Sequence, residues 1–309
     1  MKVHHLLAVC IALISLIGCK TNKVSSTAVN NSREAKSVFI NGDSLHYIDI
    51  GKGDPVIFIH GALGDYRGFQ GQLDTFSQSH RVIVYSRRYA YPDFGAIKDS
   101  LNYGVAIHVE DLTQFIQKLN LAPAHLVGHS YGAIIALQTA LAHPELVRTA
   151  TLCEAPYASL FETKGGVDTL FTQFDNNYRF RAGEAFMKNE NEKGVAIFVQ
   201  GVLGDGIDFT KFPPDLKNRM LSNVPETRAI AITKSPFPKV TCDELKKVKT
   251  PILIVGGDKS PKFFAVANNE LNNCLPNREL AILANTSHGL PNENPTAFNK
   301  IALPFINKH

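Results

Sequence analysis

The pentapeptide Gly128-His129-Ser130-Tyr131-Gly132 constrains this chain more than any other stretch, because of what stands on either side of it. Before it runs the apolar segment Ala124 to Val127, in which His125, Leu126 and Val127 read as a strand; after it, Ala133 to Ala142 reads as a helix, with Ile134, Ile135 and Leu137. A turn from strand to helix this sharp leaves no room for side chains two residues either side of its apex, and glycine fills both positions. A serine hydroxyl is a poor nucleophile unless it is held exposed beside a base, which is what such an apex provides. Alone, the pentapeptide is equally readable as a glycine-rich turn with a structural serine. The flanking strand and helix favour the nucleophile.

The chain has 309 residues, 44% of them hydrophobic, enough for one large domain with an inserted lobe. Net charge is +4 without any run of Lys or Arg, which gives nucleic-acid binding no support. Met1 to Cys19 reads as a targeting segment, with Lys2 followed by an apolar run from Leu6 to Ile17. That run is too short for a spanning helix, which needs about 20 residues for a hydrocarbon core of about 30 Å. Leu16-Ile17-Gly18-Cys19 resembles a bacterial lipobox; the resemblance implies lipidation of Cys19 as the mature N-terminus, and an ordinary secretory signal is the alternative. Lipid attachment would anchor the protein to a membrane without a spanning helix. Lys20 after the cysteine is similar to the outer-membrane pattern of Gram-negative lipoproteins, so the expected location is the cell envelope, facing the periplasm.

The expected organisation is a signal over 1–18, a flexible tether over 19–36, a core over 37–155, a helical cap over 156–238 and the rest of the core over 239–309. The tether is rich in Ser, Thr, Asn and Lys and lacks periodicity. Val38-Phe39-Ile40 and Leu45 to Ile48 flank Asn41-Gly42-Asp43, a hairpin signal because Asn-Gly accepts positive φ. Strands Val56 to Ile59 and Val82 to Tyr85 then alternate with helices near Gly68 to Ser77 and Gly104 to Leu119. In the latter, Val105, Val109, Leu112, Phe115, Ile116 and Leu119 recur every three or four residues and make one apolar face. Such alternation predicts a mostly parallel sheet with helices on both faces. It stops at Pro156, where helix-like segments carry Phe161, Phe171, Phe174, Phe180, Phe186 and Phe198, and resumes with strand Ile252 to Val255.

Three landmarks fall at strand ends, where an open parallel sheet places its chemistry. His60-Gly61-Ala62 can turn a backbone N–H near Ala62 toward a substrate carbonyl, and with the N–H of Tyr131 it would form an oxyanion hole. Gly256-Gly257-Asp258 follows the strand Ile252 to Val255, and Ser287-His288-Gly289 follows Ala281 to Leu283. The order Ser130, Asp258, His288 is that of α/β-hydrolases. With these motifs, the Asn41-Gly42 hairpin, Arg87-Arg88, Glu110-Asp111-Leu112 and Pro291 to Pro295, the chain resembles an α/β-hydrolase of the esterase-like branch with a cap between its sixth and seventh strands. Tyr89-Ala90-Tyr91-Pro92 departs from the glycine-rich turn of many relatives.

Catalysis is therefore expected from Ser130, His288 and Asp258, with Glu154 as the rival acid because it ends the preceding strand. The reaction expected is hydrolysis of a small, partly apolar carboxylic ester through an acyl-enzyme, with no cofactor and no metal. Amide or carbon-carbon bond hydrolysis on the same residues, or a binding protein on the same scaffold, are the alternatives, since fold does not fix function. Serine at the elbow argues against the relatives that use aspartate there. His60 is expected to support the oxyanion turn, and Arg87 and Arg88 to be structural rather than to meet an anionic substrate. Cys153, Cys242 and Cys274 are expected as free thiols, although an oxidising compartment would permit a bridge between Cys242 and Cys274.

Overall fold

In the computed structural model, residues 33–93, 103–160, 168–234 and 236–309 are described. The lipobox, the tether up to residue 32, and Phe161 of the insertion lie outside them, while Lys36, expected to end the tether, already opens the first strand. Strands β1 (Lys36–Ile40) and β2 (Asp43–Gly51) form the expected hairpin, with φ of 48° at Asn41 and 83° at Gly42. Strands β3 (Pro55–Ile59), β4 (Arg81–Tyr85), β5 (Ala124–His129), β6 (Val147–Cys153), β7 (Ile252–Gly257) and β8 (Arg278–Leu283) complete one eight-stranded sheet. Its order is β1-β2-β4-β3-β5-β6-β7-β8, antiparallel at β1/β2 and β2/β4 and parallel from β4 onward. This is the fold expected from the alternation.

Period-two alternation assigns the two faces of the sheet. Ile57, Ile59, Ile83, Tyr85 and Leu126 pack with Leu112, Phe115 and Ile116 of helix α2 (Val105–Lys118) and with helix α3 (Tyr131–Ala142). Their strand neighbours Val56, Phe58, Val82, Val84 and Val127 turn the other way. They meet Leu73 and Phe76 of helix α1 (Gln70–Phe76) and Phe298 and Phe305 of the C-terminal helix, Pro295–Lys308. Burial on both faces is why these strands are continuously apolar. Asn294 caps the C-terminal helix by accepting the Ala297 N–H at 3.0 Å.

Between β6 and β7 lie helices α4 (Asp168–Phe174), α5 (Phe180–Met187), α6 (Asn191–Leu203), α7 (Pro214–Leu221) and α8 (Val224–Ile232). Ala182, Phe186, Val195 and Val199 give this insertion its own small core, to which Leu63 of the sheet-end loop adds. Phe180, by contrast, is 40% exposed and lies against the Arg179 guanidinium.

The expectation of free thiols fails at one pair. Cys242 opens helix α9 (Cys242–Leu245) and Cys274 closes helix α10 (Lys262–Cys274); these helices pack together and the cysteines form a disulfide, with Cα atoms 5.0 Å apart. Their 32-residue separation in sequence carried no information about that distance. Cys153 is free and buried, and burial raises its thiol pKa well above the usual value. No helix among the described residues is long and apolar enough to cross a membrane.

Candidate active site

Ser130 stands between β5 and α3 with φ 54° and ψ −118°, a conformation that costs a non-glycine residue about 1–3 kcal/mol and is held by its neighbours. Its N–H donates to Cys153 O at 2.8 Å, which ties the apex to β6. Both flanking glycines are sterically required: a Cβ at Gly128 would lie 2.4 Å from Gly132 O, and one at Gly132 would lie 2.2 Å from Ile59 O. As the first residue of α3, Tyr131 has no intrahelical acceptor for its N–H.

The turn after β3 passes directly beside this apex. A Cβ at Gly61 would come within 3.0 Å of the Ser130 Cβ, so glycine allows the approach that brings Ala62 to the elbow. His60 donates from Nδ1 to Gly61 O at 2.8 Å and accepts the Arg87 N–H on Nε2 at 3.0 Å, which defines a neutral tautomer. Burial, with the Arg87 charge, lowers its pKa well below the ordinary value. Arg87 Nη2 also donates to Gly61 O, at 3.1 Å, while Arg87 Nη1 lies 2.8 Å from Glu226 Oε1 on α8. Burial pushes the Glu226 carboxyl up, against the downward pull of Arg87. Thr227, next on α8, accepts the Leu63 N–H at 3.0 Å. The inserted helices thus support the turn expected to supply one oxyanion donor. Arg88 pairs with Asp111 at 2.5 Å, so both arginines are buried structural cations, as their sequence context indicates. The Tyr89 to Pro92 departure joins the same framework: Tyr91 donates its N–H to Asn223 Oδ1 at 2.9 Å.

The structure does not bring Asp258 to the histidine. Glu154, immediately after β6, accepts His288 Nδ1–H on Oε2 at 2.7 Å and the Gly257 N–H on Oε1 at 2.8 Å. Asp258 is exposed and accepts only a long bond, from Thr286 N at 3.3 Å. The reason is register. Cys153 pairs with Val255 across the β6/β7 ladder, and β7 runs on through Gly256 and Gly257, which carries Asp258 past the site. Gly257 binds the Glu154 carboxylate through its backbone N–H, and a Cβ there would lie 2.4 Å from Thr286 O, so glycine allows the close approach of the loop that carries His288. Glu154 itself has φ 52°, a second unusual backbone in this cluster after that of Ser130. Its placement at a strand end, one strand over from the elbow, was the signal that could have ranked it first.

His288 is buried, and its ring stacks on Phe264 with centroids 3.8 Å apart. His129 Nε2–H donates to His288 O at 2.7 Å, and burial beside His288 holds His129 neutral, with a pKa lowered to about 3. With Nδ1–H committed to Glu154, the Nε2 lone pair of His288 is free to accept a proton. Ser130 and His288 face one cavity of about 450 Å³, walled on the far side by the inserted helices.

Residues 54–295 match the alpha/beta hydrolase fold family, so this chain belongs to it. It is similar to ethanol acetyltransferase 1 of Cyberlindnera jadinii, with 22% identity over 275 residues that cover 83% of this chain and 80% of that one. Among solved structures, carboxylesterase CesB of Bacillus subtilis superposes with a TM-score of 0.68 at 21% identity, covering 89% of this chain and 92% of the other. Est816, described as an N-acyl homoserine lactone degrading enzyme, superposes with a TM-score of 0.65 at 24% identity over 87% of this chain and 100% of the other. These structural likenesses concern the fold.

Proposed function

We propose that this chain is a serine hydrolase of small, partly apolar carboxylic esters, with Ser130 as nucleophile, His288 as general base and acid, and Glu154 as the carboxylate that orients it. The observation that carries the reading is the 2.7 Å bond from His288 to Glu154, on a histidine that shares a cavity with the strained Ser130. As Ser130 Oγ bonds to the acyl carbon, its proton passes to His288 Nε2, and Glu154 stabilises the imidazolium. The N–H groups of Ala62 and Tyr131 receive the oxyanion. Collapse breaks the bond to the alcohol oxygen, which leaves with the proton from His288; water, deprotonated by His288, then releases the acid. A relative named for acetyl transfer and a structural neighbour named carboxylesterase agree with acyl chemistry. A fluorophosphonate probe tests this directly: labelling of wild type at Ser130 and none of Ser130→Ala is expected, and folded wild type without labelling would end the proposal.

The location proposed rests on sequence alone. The run Leu6 to Ile17 and Leu16-Ile17-Gly18-Cys19 support lipid attachment at Cys19 and residence in a bacterial envelope. Cys19→Ala should yield released protein or unprocessed precursor; mature-mass protein still sedimenting with membranes would refute lipidation.

A further inference from the structure

Two cavities of very different size open on Ser130. The larger, about 450 Å³, is lined by His288 and by apolar residues of the sheet-end loop and the insertion, among them Leu63, Phe69, Val199 and Phe212. The smaller holds about 20 Å³, roughly one water or one methyl group. Ala62, Ser130 and Tyr131 form its floor, and Phe174, Phe237 and Phe263 are among its walls. His288 lines the first and is absent from the described wall of the second.

Chemistry decides which part of an ester enters which cavity. The histidine that takes the Ser130 proton must return it to the departing alcohol oxygen, so the alcohol lies on the side that His288 lines. The acyl substituent must then point away from His288, past the oxyanion donors, into the smaller space. Resting on the serine-hydrolase reading, we propose that the substrates are acetyl-sized esters of extended apolar alcohols, with Phe174, Phe237 and Phe263 setting the acyl limit. In the first step the bond from the acetyl carbon to Ser130 Oγ forms, the bond to the alcohol oxygen breaks, and the alcohol leaves with the serine proton. The rings of this wall brace one another. Phe174 packs on Phe263 at 5.2 Å between centroids, and Phe237 meets the Tyr131 ring at 6.0 Å.

Octyl acetate and ethyl octanoate are isomers that differ in which side of the ester carries the long chain, so hydrophobicity cancels between them. Wild-type kcat/KM for octyl acetate should exceed that for ethyl octanoate by about 100-fold or more, since a single methylene that does not fit costs about tenfold or more. Phe237→Ala should shrink that ratio by about tenfold, chiefly by raising the octanoate rate; Phe174→Leu, a milder opening of the same wall, should shift it the same way. Equal rates or a preference for ethyl octanoate in wild type would overturn the proposal. Fluorophosphonate labelling of Ser130 with neither isomer turned over would overturn it too, while leaving serine chemistry standing; absent labelling would remove the underlying reading as well.

Discussion

Arg87 Nη1 and Glu226 Oε1 lie 2.8 Å apart with both side chains fully buried, joining the loop after β4 to helix α8 of the insertion. Tyr103 donates to the same Glu226 oxygen at 2.8 Å, and Arg87 reaches Gly61 O in the turn after β3. Removing one partner strands a charge, at a cost of about 3–5 kcal/mol. Glu226→Ala should therefore lose about that much unfolding free energy in urea melts. Arg87→Met combined with Glu226→Leu should recover much of the loss. A recovered double variant that still hydrolyses ester slowly would assign the pair to positioning of the turn; additive losses in the two singles would show that they are not coupled.

Glu154→Gln should cost about 10³–10⁴ in kcat, because an amide can favour the wrong imidazole tautomer and offers no charge to the imidazolium. Asp258→Asn, at a side chain that is exposed and bonds Thr286 N rather than the His288 ring, should stay within about threefold of wild type. Circular dichroism and ester kinetics on the two variants check this, and the reverse ranking would restore Asp258 as the acid.

Burial lowers the pKa of His125 to about 4 from an ordinary 6.5. In this window the unfolded chain binds a proton that the folded chain does not, so stability falls as pH falls from 6.5 to 4, by about 1.4 kcal/mol per pH unit from this one residue. The effect is complete near pH 4 and absent above about 7. Denaturation curves at pH 7.5, 6, 5 and 4.5 should show the decline, and His125→Gln should flatten its slope whatever it does to the stability at pH 7.5.

The Cys242–Cys274 bridge closes a loop with a sequence separation of 32 and should stabilise the fold by about 3–4 kcal/mol. Dithiothreitol, or Cys242→Ser, should lower Tm by several degrees. A linked Cys242/Cys274 peptide in a non-reduced digest is the direct check. Since α10 carries Phe264 against the His288 ring, a modest fall in kcat should accompany the loss.

Much was legible in sequence because local rules act there. The elbow, the Asn41-Gly42 turn and the α2 stripe follow from φ/ψ freedom and from periods of 3.6 and two, which a chain carries without knowing its partners. Ser130 and the turn at Ala62 were singled out this way, and His288 by its place after the last strand. The carboxylate that His288 meets was not. Choosing between Glu154 and Asp258 depends on how far β7 runs beyond its pairing with β6, and on a backbone N–H at Gly257 taking the place where a side chain might have stood.

What the sequence by itself determined is the order of elements, the two-faced sheet and the strand-turn-helix that carries Ser130, since each is set by residues adjacent in the chain or spaced at a fixed period. What only tertiary structure decided are distances between segments far apart in sequence: Glu154 with His288, Arg87 with Glu226, Cys242 with Cys274, and the phenylalanine wall beside Ser130. Those depend on strand register and on how the inserted helices pack over the sheet. Both are collective results of packing the whole core, and no local pattern encodes them.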